Sequence, residues 1–258
     1  MNVWTGLDAE LSGWRDAGRV ATLWWRDDDA TEATPALDRM LDLRARHDVG
    51  LALAVIPAEA TTALADRLRG EAPSVVVFQH GYAHQNHALA PEKKIELGPH
   101  RPATMVLGEL GTGAMAMERL FGTRARPVLV PPWNRIASML VPTLPEIGLR
   151  GLSTFAPRTR INPVRGLLQV NTHVDPVDWR GDRGFAGDDK VIGALVGHLA
   201  MRRLAGLQSA AGGEPTGLLT HHAVATEAIW GFMDRLLERL RAHSGASILA
   251  PDEVFARS

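Results

Sequence analysis

Val20-Ala21-Thr22-Leu23-Trp24-Trp25 runs directly into Arg26-Asp27-Asp28-Asp29, and the reading of this junction decides the fold. The apolar run reads as a strand, and a run without alternation suits a strand buried on both faces of a parallel sheet. Seven further runs read the same way: Leu51–Ile56, Val75–Gln79, Val128–Val130, Gly151–Phe155, Leu167–Val170, Gly217–Thr220 and Ala246–Ala250. Between them lie segments of helical spacing: Pro35–His47, Ala60–Arg69, Thr104–Phe121, Ile136–Ile147, Asp189–Leu207 and Ala225–His243. This alternation predicts βαβ units. No Gly-x-Gly-x-x-Gly loop follows the first strand, so a barrel is favoured over an open dinucleotide-binding sheet. The expectation is an α/β fold, a distorted or incomplete (β/α)7–8 TIM-like barrel.

A barrel makes a demand on the sequence, because its functional groups lie at the C-terminal ends of strands. Five strands end that way. The first runs into the three Asp residues, and Val75–Gln79 runs into His80-Gly81-Tyr82-Ala83-His84. Val128–Val130 runs into Pro131-Pro132-Trp133-Asn134-Arg135, and Leu167–Val170 into Asn171-Thr172-His173-Val174-Asp175, then Asp178-Trp179. Gly217–Thr220 runs into His221-His222. Histidines 80, 84, 87, 100, 173, 221 and 222 lie in or beside these loops, seven of the ten in the chain. Carboxylates after one strand and imidazoles at i, i+4 after another supply three oxygen and nitrogen donors for a divalent metal, with a carboxylate to spare. Each element also has a plain reading. An Asp run is commonly a helix cap, and Pro131-Pro132 ends a strand. Glu92, Lys93, Lys94 and Glu96 read as a solvated helix face, with Glu96 able to fold over the site. The plain readings do not explain why the elements share strand ends.

The constellation resembles the polysaccharide deacetylases of carbohydrate esterase family 4. The resemblance spans residues 20 to 222 and implies one catalytic domain over 1–258 on a distorted barrel. Trp25-Arg26-Asp27-Asp28 matches the first motif, implying Asp27 as general base and Asp28 as metal ligand. His80-Gly81-Tyr82-Ala83-His84 matches the second, implying His80 and His84 as further ligands. Pro131-Pro132-Trp133 matches the third, Asp175, Asp178 and Trp179 the fourth, and Leu219-Thr220-His221 the fifth, implying His221 as general acid. The chain departs from the pattern in four places. Val130 stands where an Arg usually precedes Pro-Pro-aromatic, with Arg135 and Arg26 as substitutes. The third Asp leaves Asp28 and Asp29 open as the working pair. His222 replaces an acidic residue, and His87 is an extra imidazole.

The implied activity is metal-dependent hydrolysis of a C–N bond other than a peptide bond, removing an N-acetyl or related acyl group from an acetamido sugar or saccharide. Metal-activated water, an Asp base and a His acid would carry it. Tyr82, His87, Pro132, Trp133, Asn134, Arg135, Asp175, Asp178, Trp179 and His222 are the expected substrate-binding residues. The cofactor is one divalent ion. Zinc suits the donors first, and Co2+, Ni2+, Mn2+ or Fe2+ suit them too. Two rivals keep the fold: hydrolysis of a small non-sugar amide or cyclic imide, and a non-catalytic carbohydrate-binding member.

Composition sets the outer limits. Of 258 residues, 45% are hydrophobic and 22% charged, which allows an ordinary core. The net charge of −1 and the lack of a basic tract argue against nucleic acid as a partner. With no cysteine, any metal must use His, Asp or Glu. The first residues lack the basic and apolar regions of a secretory signal, and no stretch is apolar enough to span a bilayer, so a cytoplasmic location is expected.

Overall fold

A computed structural model describes residues 2–256. Eight parallel strands follow one another as β1 (Ala21–Ala30), β2 (Leu51–Val55), β3 (Val75–His80), β4 (Ala125–Val130), β5 (Gly151–Leu152), β6 (Leu168–Gln169), β7 (Thr216–Thr220) and β8 (Ala246–Ile248). The sheet order is β6-β5-β4-β3-β2-β1-β7, and β8 pairs with the first residues of β1. The helices are α1 (Val3–Asp16), α2 (Pro35–Arg46), α3 (Thr62–Leu68), α4 (Ala103–Phe121), α5 (Asp188–Ala205), α6 (Glu227–Ala242) and α7 (Pro251–Phe255). This is the incomplete (β/α) barrel that strand-like runs alternating with helical segments predict. No described helix is long and apolar enough to cross a membrane.

The period of two along each strand sorts side chains into two cores. Trp24, Ala52, Ala54, Val76, Phe78, Val128 and Val130 fill the barrel interior. Leu23, Trp25, Leu53, Val55, Val75 and Val77 face the helices. Phe255 of α7 closes the lower end, its ring edge-on to Trp24 at 5.7 Å and to Phe78 at 5.1 Å.

Three elements differ from the sequence expectation. The N-terminal α1 is a helix whose Leu7, Leu11 and Trp14 recur on one buried face. The segment expected as a helix over 136–147 is a run of 3-10 turns over Ser138–Ile147, because Pro142 and Pro145 remove two of the N–H groups an α-helix needs. The first strand does not stop where its apolar run stops at Trp25. It continues through Arg26, Asp27, Asp28 and Asp29 to Ala30, since pairing with β2 and β7 on either side holds the polar residues extended.

The barrel does not close by a full ladder. Between β6 and β7 the described residues make a single bridge, Val174 with Leu218, while Phe155 with Thr172 prolongs the β5–β6 pairing. Buried side chains take over the missing pairing there. Glu214 accepts the backbone N–H of Arg158 at 2.8 Å and of Asn171 at 2.7 Å. Beside it, Arg202 ties α5 to the start of β1 and β7, donating to the Thr22 carbonyl at 2.8 Å and the Thr216 hydroxyl at 2.9 Å. His173 and His198 stack at 3.7 Å in the same seam.

Candidate active site

The upper end of β1 carries three carboxylates that point three ways. Trp24 faces the interior and Trp25 the helices, so alternation sends Arg26 and Asp28 inward and Asp27 outward. Arg26 and Asp28 are both buried, with Arg26 Nε 2.8 Å from Asp28 Oδ1 and Nη2 3.0 Å from Oδ2. Arg26 also donates to Ser153 Oγ at 2.6 Å and to Asn134 Oδ1 at 2.7 Å. Asp27 accepts the Thr220 hydroxyl at 2.6 Å and the His222 backbone N–H at 2.9 Å, and pairs with the His222 ring.

Asp29 escapes the alternation. Its φ is +70°, and the register with β2 shifts between Asp27 and Ala30. A bulge of this kind re-aims a side chain. Asp29 Oδ1 consequently lies 2.9 Å from His80 Nε2 and 3.3 Å from His84 Nε2. The donor atoms of Asp29, His80 and His84 all lie within 4.8 Å of one another. The carboxylate beside the imidazoles is thus Asp29, whereas the leading expectation put Asp28 there; Asp28 is turned to Arg26 instead.

The loop after β3 is shaped to present the two imidazoles. Gly81 has φ +56°, and a Cβ there would overlap the Glu96 carboxylate and Pro132. Glu96 is buried and accepts the N–H groups of Tyr82 at 3.1 Å and Ala83 at 2.7 Å. The segment expected as a solvated helix face over 92–96 is non-helical, and Glu96 anchors it to the loop after β3. Trp133, itself at φ +54°, packs on the His84 ring at 4.4 Å.

Electrostatics and hydrogen bonding both point to a cation among these three groups. His80 Nδ1 lies 2.9 Å from the Val130 carbonyl and must donate to it, which turns Nε2 toward Asp29. A bare lone pair and a carboxylate oxygen at that distance repel, so a proton or a metal ion belongs between them. Burial opposes charge on His80, yet the Asp29 hydrogen bond and the Asp28 and Asp29 charges hold its pKa above the ordinary histidine value. Burial would raise Asp29, but His80 and the neighbouring imidazoles hold it well below the usual carboxylate range. Burial and the His80 charge lower His84. One carboxylate and two neutral imidazoles fit a divalent ion, and the Val130 contact fixes the His80 tautomer such an ion needs.

Opposite chemistry sits after β7. His221 Nδ1 lies 3.8 Å from Asp175 Oδ2. Asp175 is held by the Trp179 indole N–H at 2.7 Å and the Val177 N–H at 2.9 Å. The Trp179 ring meets the His221 ring edge-on at 4.7 Å. Burial raises the Asp175 pKa, against the pull of His221.

Other expected residues have different surroundings. Asp178 pairs with Lys190 at 3.1 Å, and Arg135 donates to the Lys94 carbonyl at 2.8 Å. Pro132 is buried beneath Gly81, and the Asn134 side chain serves Arg26. Tyr82 and His87 are half-buried in the loop after β3, where the His87 N–H meets the Ile95 carbonyl. His100 pairs with Glu92, and His173 belongs to the barrel seam. The sequence reading does not single out Ser153 or Thr220 as holding site groups; both are hydroxyls at the ends of apolar runs, with no local signal. Arg26 meets Asp28 because β1 continues past Trp25 and puts i and i+2 on one strand face.

No family profile matches the chain, and no curated protein sequence matches it. Solved structures do share its fold. A Mycobacterium smegmatis protein described as a candidate polysaccharide deacetylase is 14% identical, with a TM-score of 0.67 over 93% of this chain and 90% of that one. The peptidoglycan deacetylase PdaC from Bacillus subtilis is 15% identical, with a TM-score of 0.56 over 91% and 90%. A family 4 acetyl xylan esterase from Clostridium thermocellum, in complex with a cobalt ion, is 13% identical, with a TM-score of 0.53 over 91% and 90%. The chain has the polysaccharide-deacetylase fold.

Proposed function

We propose that the chain is a metal-dependent deacetylase, one catalytic domain that hydrolyses the acyl C–N bond of an acetamido sugar or saccharide. The observation that carries this reading is the Asp29–His80–His84 cluster beside a carboxylate, Asp28, clamped by Arg26. Asp29, His80 and His84 would hold the ion, with zinc first among the metals that suit them. When bound, a divalent ion supplies Lewis acidity to water and to the acyl oxygen.

The remaining roles belong to the chain's own groups. Asp28 accepts the proton of the attacking water, and Arg26 keeps that carboxylate in one orientation. Asp28 and Asp29 are then the working pair, the second of the two registers that the run of three Asp residues leaves open. His221 delivers a proton to the departing nitrogen, with Asp175 near its Nδ1. Trp133 and Trp179 offer aromatic surfaces for a sugar face. Water and amide become carboxylic acid and amine.

The test pairs metal analysis with acetate release from N-acetylated oligosaccharides. Wild type should carry about one divalent ion, and His80→Ala/His84→Ala none. Asp28→Asn should keep the ion and lose roughly 100-fold or more in turnover. Equal metal in wild type and double variant would sink the metal site. Bound metal without acetate release from any acetylated saccharide would sink the deacetylase reading.

A further inference from the structure

Asp27 has no part in the chemistry above, yet it is fully buried and takes part in three hydrogen bonds. All three involve the residues on either side of His221. The Thr220 hydroxyl donates to Oδ2 at 2.6 Å, the His222 backbone N–H donates to the same oxygen at 2.9 Å, and the His222 ring binds Oδ1. Trp25, two residues before Asp27, donates its indole N–H to the Thr220 hydroxyl at 2.8 Å. The His221 backbone is thus bracketed from β1.

The His221 ring needs that bracket. Its buried Nδ1 has no hydrogen-bond partner among the described residues, and the Asp175 oxygen at 3.8 Å is beyond hydrogen-bond reach. With no side-chain bond to Nδ1 to aim it, the ring takes its direction from its backbone and from the edge-on Trp179. We infer that Asp27 is a positioning residue for His221, holding the loop on which the proton donor stands, and that His222 is the counter-group that lets this carboxylate stay buried. The inference rests on the proposed role of His221. The three β1 carboxylates then serve three different groups. Asp27 holds the loop of the acid, Asp28 is the base, and Asp29 binds the metal.

Asp27→Ala in the metal-loaded protein tests it, because it removes both oxygens that hold Thr220 and His222. Metal content should equal wild type. Turnover of an N-acetylated saccharide should fall about 10- to 100-fold with KM little changed. Hydrolysis of 4-nitrophenyl acetate, whose leaving group needs no proton, should stay within about threefold. Thr220→Val, which removes the bonds to Asp27 and from Trp25 but leaves the His222 contacts and the shape, should show a smaller loss of the same pattern. A second readout does not depend on activity: the His221 ring signals in nitrogen-15 NMR, assigned with His221→Gln, should shift in Asp27→Ala. Equal losses on both substrates, or unchanged His221 signals, would overturn the inference. A wild type that releases no acetate would overturn the proposed function instead, and the NMR comparison would still decide this one.

Discussion

Arg26 shows how much one residue's position settles. It stands two places before Asp28, and once pairing with β2 and β7 holds this stretch extended, the pleat puts guanidinium and carboxylate on one face. Two nitrogens meet two oxygens at 2.8 and 3.0 Å inside the protein. Removing one partner of a buried pair leaves the other charge uncompensated, at a cost of about 3–5 kcal/mol. Arg26→Gln is accordingly expected to lower the urea midpoint markedly and to lose turnover at least about tenfold while metal content is retained. A midpoint equal to wild type would show that the pair carries no such energy. Asp29 behaves differently. Its φ of +70° is uncommon for a residue with a side chain, and nothing in a run of three identical residues announces it.

At the scale of the element, the loop after β3 depends on one buried carboxylate. Glu96 satisfies two backbone N–H groups between His80 and His84, from thirteen and fourteen residues away. Groups that orient ligands without touching the metal typically matter about 10- to 100-fold in affinity. Glu96→Ala should therefore weaken zinc binding by about that factor in a competition titration with a chelator. Unchanged affinity would mean that the strand end alone sets the loop. The same dependence explains why 92–96 reads as a helix face and is not one: the local sequence carries charge at helical spacing, whereas the loop buries Glu96 for a tertiary reason.

At the scale of the whole molecule, the open seam between β6 and β7 is filled with titratable groups. Burial, then the charge of His173 and Arg202, lowers the His198 pKa to about 2. Burial and nearby arginines lower His173 to about 3. A histidine depressed in the folded state stabilises above its unfolded pKa near ~6.5 and loses that contribution as pH falls toward the folded value. Burial raises Glu214 to about 7, so its contribution has the opposite sign and fades as pH rises through about 4.5 to 7. His198→Asn should thus lose less stability than wild type on moving from pH 7 to pH 4, by on the order of 2–3 kcal/mol. Urea melts of both proteins across that range check it; parallel curves would show that His198 titrates normally.

Much of this was legible in the chain. Buried parallel strands must be apolar on both faces, so the runs at Leu51–Val55 and Val75–His80 declared themselves. Polar residues gathered at five strand ends because a barrel has one end for its site. Those two constraints act on local stretches, and local stretches are what a sequence displays. Which of three adjacent carboxylates meets the imidazoles was not legible, since a single backbone torsion at Asp29 decides it and the pairing with β2 sets that torsion. Nor were the partners of Asp27. Thr220 and His222 lie 193 and 195 residues away and become neighbours only when β7 pairs with β1. Hydrogen bonds across that distance depend on the register of a completed sheet, and register belongs to the tertiary structure alone.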